Sequence, residues 1–317
     1  MRRPVAPART MRRMAARSRT RHGGDALGGV IVAFAALLFG SVVVLGRSDA
    51  IRAMEVPALL AMRFAVAAAV LAAVVLATRR SLRPARGEGW RLFGLGAVLY
   101  ATESALFFLA LERGTAATVT LLFYTYPVLV AVISVATGGG LPGWVVGGSL
   151  GAAVAGTTIV VVSSGGLDIT VAGIAFALGS ALTFSIYLVG ADRLIRRTRP
   201  LVTAMWVSLS ASIGLLTAAL VAGVAEVPAP EARLPVLSMG VLTAGAFFLL
   251  FVGLRRVGAV RSSVIASLEP VAAAVLAAIF VGEPIRAGVL AGGVLILAGA
   301  VAATLARGGP EPKEAVP

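Results

Sequence analysis

The chain has 317 residues, 59% hydrophobic and 13% charged, with a mean hydropathy of +0.97, far more apolar side chain than a soluble core can bury, so soluble enzymes and binding modules are excluded. It has no Cys, Asn or Gln and one His, His22, near the start. This removes disulfides, thiolate chemistry and a histidine-based metal site or general base within the apolar region, and no cofactor is expected. The net charge of +14 and pI near 11.6 admit nucleic acid as a partner until the arginine positions are read.

Residues 1–26, "MRRPVAPARTMRRMAARSRTRHGGDA", form a basic leader that reads as disordered and cytoplasmic, with Met11 and Met14 as alternative starts. The apolar run behind it is long enough to cross a bilayer and has no small-residue cleavage site followed by a soluble domain, so it reads as a retained helix rather than a cleaved signal. Ten apolar runs of about 20 residues follow, the length a helix needs to cross ~30 Å of hydrocarbon. They are Leu27–Leu45, Pro57–Ala77, Leu92–Leu111, Thr115–Thr137, Pro142–Ser163, Thr170–Ala191, Pro200–Gly223, Leu234–Leu254, Ala259–Val281 and Arg286–Ala306. Residues 307–317 are a short tail. None of the runs shows the ~10-residue alternating pattern of a barrel strand, so the fold class is an all-α polytopic membrane protein with ten transmembrane helices.

With the amino terminus in the cytoplasm, that side collects 21 Lys and Arg against 5 on the other, Arg63 and Arg261 lying within runs. This is the positive-inside pattern. It places both termini in the cytoplasm, accounts for the basic pI without nucleic acid, and makes the lipid bilayer of a bacterial cytoplasmic membrane the chain's surroundings.

The second run carries Arg63, which can face Glu103 or Glu269 across a cavity or snorkel to the outer surface. The third carries Glu103 with Tyr100 and Thr102 beside it, either at a cavity or in an interhelical bond. The fourth carries Tyr124 and Tyr126 before Pro127, and the seventh carries Trp206. These aromatics line a pocket or pack. In the ninth, Glu269 stands beside Pro270 near the bilayer centre, where an ionised side chain is costly, either facing a substrate cavity or bonded in protonated form to a neighbouring helix. Pro270 and Pro127 lack an N–H, which leaves the carbonyls of Ala266 and Phe123 without helical partners in a medium where only another helix, water or a ligand can satisfy them. The small-residue runs Gly147–Gly151 and Gly288–Gly292 read as packing faces, within the bundle or in a homodimer. Glu283 reads as a solvated helix-end charge, and Arg261 as snorkelling.

A shift of 143 residues aligns Pro127 with Pro270, Phe108 with Phe251, Arg113 with Arg256 and Ala155-Gly156 with Ala298-Gly299. The chain therefore divides into two repeats, 27–163 and 170–306. Five spans per repeat make the second enter the membrane from the opposite side, the inverted architecture of secondary transporters with a site near the midplane. Tyr126 is the repeat partner of Glu269, and Arg63 that of Trp206.

The stretches "LERGTAATVTLLFYTYPVLVAVIS" and "RRVGAVRSSVIASLEPVAAAVLAAIFVGEPIRAGVLAGGVLILAGAVAAT", with Arg63-Phe64 in the second run, resemble the drug/metabolite transporter superfamily, specifically the ten-helix transporters built from two EamA domains. The resemblance covers about Leu27 to Ala306. It implies both termini inside and a central cavity facing each side in turn. Relatives are similar to exporters of amino acids and metabolites, others to carriers of sugars, nucleotide sugars or drugs. The first half departs from the pattern, with Gly138-Gly139-Gly140 where the second has Val281-Gly282-Glu283. The expectation is a secondary transporter, not an enzyme, that exports a small-molecule solute such as an amino acid. Import of sugars or other solutes, and a non-transporting structural or receptor bundle, are the alternatives.

Overall fold

The computed structural model describes residues 8–46, 48–164, 168–282 and 285–306. The described chain is helical throughout. It comprises α1 (Ala8–Leu45), α2 (Asp49–Arg52), α3 (Val56–Ala77), α4 (Gly89–Phe93), a π-helical segment (Gly94–Tyr100), α5 (Ala101–Leu111), α6 (Ala116–Phe123), α7 (Tyr126–Ala136), α8 (Trp144–Ser164), α9 (Val171–Leu194), α10 (Pro200–Val221), α11 (Pro230–Ala266), α12 (Glu269–Val281) and α13 (Ala287–Leu305). Helices are what a bilayer demands, because each closes its own backbone hydrogen bonds.

Among the described residues nine helices are long and apolar enough to cross a membrane, against ten runs in the sequence. The difference lies in the ninth run. Its first part is continuous with the eighth in α11, whose backbone leaves helical geometry at Gly258 (φ 77°, ψ 171°), and its remainder is the 13-residue α12. The break before Pro270 divides the run into pieces that individually fall short of span length.

The leader, expected to be disordered, is helical from Ala8. Arg, Met and Ala favour helix, and neither Gly nor Pro occurs between Ala8 and Arg21. Residues 1–7, the tail 307–317 and Glu283 lie outside the described residues.

The two halves of the chain pack against each other through equivalent elements. α1 runs along α11 and α12, and α9 runs along the π segment, α5, α6 and α7. α3 pairs with its own counterpart α10, and α8 with its own counterpart α13. Close approaches repeat as well: a Cβ at Gly28 would stand 2.7 Å from the Arg256 Cβ, and one at Gly173 would stand 3.1 Å from the Arg113 Cβ. Between α8 and α13, a Cβ at Gly156 would stand 2.6 Å from the Gly292 carbonyl oxygen. In the Gly147–Gly151 run, expected to pack, the glycines themselves are open, a Cβ at Gly147, Gly148 or Gly151 meeting nothing within 4 Å, whereas Ser149 and Leu150 are buried and a Cβ at Gly299 of α13 would stand 3.1 Å from the Ser149 carbonyl oxygen. The α8–α13 contact continues from there along α8, with Gly156 against Gly292 and Ser163 against Gly288.

Large apolar side chains such as Phe34, Leu216, Phe280 and Val294 point outward, as expected where lipid rather than water surrounds the bundle. The interior is aromatic. Phe64 meets Tyr100 edge-on at 4.9 Å between ring centroids and Phe247 at 5.4 Å, and Tyr100 meets Tyr187 at 5.7 Å.

Candidate central cavity

The two proline positions open the site. α6 ends at Phe123 and α7 starts at Tyr126, while α11 ends at Ala266 and α12 starts at Glu269, so the interruptions fall at equivalent positions of the two repeats. Each proline stands in the first turn of the resumed helix, where its missing N–H and fixed φ cost nothing. The backbone closes each break with three-residue turns, Thr125 N–H donating to the Leu122 carbonyl at 3.2 Å and Ser267 N–H to the Val264 carbonyl at 3.2 Å. Because Ser267 N–H is redirected, the Ser263 carbonyl is released. It accepts instead from the Tyr126 hydroxyl of the other repeat at 3.3 Å and from the Ser267 hydroxyl at 3.3 Å. The carbonyl bridged between repeats is thus that of Ser263, one turn before the expected Ala266. Tyr126 is itself fixed from α9, whose Ser185 hydroxyl donates to the Tyr126 carbonyl at 3.2 Å.

Beside these breaks lies a cavity of about 310 Å³, at the lower end of ligand-site volumes. Glu103, Glu269, Arg63 and Tyr126 line it, brought together from four helices, with Tyr100, Tyr187, Phe39, Phe123, Phe184 and Phe247 as aromatic walls. Glu103 is 7% exposed and accepts from the Ser104 hydroxyl at 3.1 Å and the Ser180 hydroxyl at 3.2 Å. Arg63 turns into the cavity rather than out to the surface. Its guanidinium carbon stands 4.8 Å from the Phe64 ring centroid, and its buried Nε has no hydrogen-bond partner among the described residues. Two carboxylates and one guanidinium around an aromatic pocket can engage a solute with both an apolar body and an ionic group.

Two expected site residues stand elsewhere. Tyr124 is buried behind the lining and directs its hydroxyl to Glu269. Trp206 is not at the cavity: its indole N–H donates to the Leu82 carbonyl at 2.7 Å, because that loop supplies the acceptor a half-buried indole requires. Ser180, Phe184 and Tyr187 share one face of α9 at helical spacing beside the site, and neither charge nor helix break singles them out in the sequence. Among the described residues, no three His, Cys, Asp or Glu side chains cluster as metal ligands.

The cavity extends from the breaks toward the far ends of α1, α3 and α5, through Val42, Val43, Leu60 and Phe107. The opposite, arginine-rich end is clamped. Glu88, 2% exposed, accepts from the backbone N–H groups of Arg196 at 3.1 Å, Arg197 at 2.9 Å and Thr198 at 2.7 Å, and from the Thr198 hydroxyl. Thr198 Oγ1 accepts in turn from Ala85 N–H at 3.0 Å. Burial by itself raises the Glu88 carboxyl, but the Thr198 hydroxyl and the three N–H donors together hold it below its ordinary value. Two neighbouring residues of α9 grip the broken helices at the same end. Arg193 donates to the Ser134 carbonyl at 2.8 Å and to the Thr137 carbonyl at the end of α7, and Asp192 accepts from Ala259 N–H at 3.2 Å, just past Gly258. Each charge has the sign that its helix end favours.

This fold and site define a helical membrane protein of two similar halves with a polar cavity between them. The chain belongs to the EamA-like transporter family, whose pattern matches twice, over residues 26–162 and 171–305, and it is accordingly a membrane transporter of small solutes. A solved structure described as "Crystal structure of protein" shares the fold with a TM-score of 0.75, at 23% identity over 88% of this chain and 96% of its own. No curated relative matches the sequence.

Proposed function

We propose that the protein is a secondary transporter that exports a small metabolite, such as an amino acid, across the cytoplasmic membrane by alternating access, with both termini in the cytoplasm. The observation that carries the reading is the meeting of both broken helices at one cavity, with Glu269 of one repeat and Tyr126 of the other at equivalent places on its wall. Counting the chain beyond Gly258 together with α12 as one crossing gives ten spans and makes the halves inverted. The clamped arginine-rich end, with the cavity extending to the far end, corresponds to a state closed toward the cytoplasm. Transport requires the Glu88 contacts and the α9 grips to release in turn. No nucleotide-binding motif is present in the sequence, so the driving force is a solute or proton gradient.

Counterflow in proteoliposomes with labelled amino acids, polyamines and sugars, comparing wild type with Glu269→Gln, tests the reading. Wild type exchanges at least one solute, and the variant loses either the exchange or its pH dependence. A variant indistinguishable from wild type at every pH removes Glu269 from the mechanism. A wild type that exchanges none of the panel removes the substrate assignment.

A further inference from the structure

We infer that the clamped end carries a binding surface for the headgroup of an anionic phospholipid, a partner distinct from the transported solute. The Glu88 contacts draw the loop before α4 against the loop between α9 and α10, and this packs arginines side by side. Arg197 Nη2 donates to the Arg86 carbonyl at 2.7 Å, Arg255 Nη1 to the Thr198 carbonyl at 2.8 Å with its other nitrogen on the Arg196 carbonyl, and Arg91 Nη1 approaches the Leu194 carbonyl at 3.4 Å. The side chains of Arg86, Arg91, Arg196, Arg197 and Arg255 are all exposed.

The guanidiniums of Arg91, Arg197 and Arg255 have neutral carbonyls as partners in these bonds, which order the three without cancelling charge, and Arg86 and Arg196 supply two of those carbonyls. Two acids stand within reach, and both use their hydrogen-bonding capacity on backbone N–H groups. Glu88 is buried under three N–H groups and a hydroxyl, with only a 4.0 Å approach to Arg197 Nε, and Asp192 caps Ala259. Five arginines around one buried scaffold, three of them with bonded guanidiniums, outnumber the two acids beside them and favour an outside anion.

The location selects a lipid as that anion. The patch surrounds the start of a membrane-crossing helix, where Trp90 is 78% exposed and Phe93 44% exposed next to Arg91. An exposed Trp at a span end sits at headgroup level, so the phosphate of a lipid reaches the arginines while its acyl chains lie along the apolar face of α4 and the π segment. Binding adds a bridge between the two loops that Glu88 already joins, and so favours the clamped end.

The test compares the thermal stability of the full chain in phosphatidylcholine nanodiscs with that in nanodiscs holding roughly 30 mol% phosphatidylglycerol. It is run on wild type, on Arg86→Gln/Arg196→Gln, and on Arg233→Gln at the opposite end. Arg86 and Arg196 are chosen because the loop contacts use their backbones rather than their guanidiniums. The anionic lipid is expected to raise wild type and Arg233→Gln by about 5 °C or more, and the double variant by less than about a third of that. Equal stabilisation of the double variant overturns the site, as does equal loss in Arg233→Gln, which reports charge alone. A shift reproduced by millimolar phosphate in pure phosphatidylcholine overturns the lipid as its source. Should the double variant fold poorly, native mass spectrometry of the wild type decides: phosphatidylglycerol retained in preference to phosphatidylcholine and released by salt supports the site, and equal retention of the two lipids refutes it.

Discussion

Replacing Glu88 by Ala removes the acceptor for three backbone N–H groups at 2.7 to 3.1 Å and for the Thr198 hydroxyl, in a place where the carboxylate is 2% exposed. A hydrogen bond to a charged group contributes about 1.5–3 kcal/mol, and a buried donor left unpaired costs about 1–3 kcal/mol. The four bonds do not add in full, because the Arg196 and Arg197 side chains are exposed and water reaches part of the vacated site. The expected loss is therefore about 3–5 kcal/mol, which at about 2 °C per kcal/mol for a long chain lowers the melting temperature by roughly 6–10 °C. Glu88→Gln keeps one acceptor oxygen and loses about half as much. The assay is thermal unfolding of the purified protein followed by size-exclusion chromatography, repeated across pH. The folded carboxyl titrates below its ordinary value of 4.5, so its stabilisation is complete above that value and fades as pH falls through the lower folded one. The gap between wild type and Glu88→Ala is accordingly constant at neutral pH and narrows in strong acid, by the share of the stabilisation that depends on the ionised carboxylate. A gap under about 1 °C at pH 7, or one undiminished at about pH 3, refutes the clamp as described.

Tyr126→Phe deletes the hydroxyl that bridges to the Ser263 carbonyl at 3.3 Å. Stability is expected to fall by only about 1 kcal/mol, since the Ser267 hydroxyl still donates there, while counterflow falls several-fold because the opposing break loses its cross-repeat support. An unchanged counterflow rate makes the bond structural only. Gly156→Val sets a Cβ 2.6 Å from the Gly292 carbonyl oxygen and 2.6 Å from Ile296, and is expected to cost about 2 kcal/mol or more or to prevent folding. Gly147→Ala, with nothing within 4 Å, is expected to be neutral or to stabilise by up to about 1 kcal/mol, and fluorescence-detected elution after heating distinguishes the two. Ser180→Ala takes one of two hydroxyls from Glu103 and is expected to cost about 1 kcal/mol with a measurable change in the pH profile of exchange, whereas an unchanged profile separates Glu103 from transport.

The bilayer makes part of this protein readable from its chain alone. A helix must close its own hydrogen bonds and cross a fixed thickness, so run length and composition give the spans, and the shift of 143 gives two halves. A proline inside such a run cannot continue the ladder, so Pro127 and Pro270 marked both interruptions, and an acid in hydrocarbon needs company, so Glu103, Glu269 and Arg63 marked the cavity. Spacing along a helix, however, does not fix which way its face turns. Trp206 shares a repeat position with Arg63 yet faces a loop carbonyl, and Tyr124 stands behind the lining that Tyr126 joins, because neighbouring helices set each rotation. Ser180 and Tyr187 carried no sign of function until α9 placed them beside Glu103 and Tyr100. The Glu88 clamp lay furthest from reach: its partner Thr198 is 110 residues away, and an acid in an arginine-rich loop reads as solvated until packing closes the two loops over it. Only the tertiary structure decides such pairings, because it alone settles which donors a buried carboxylate finds.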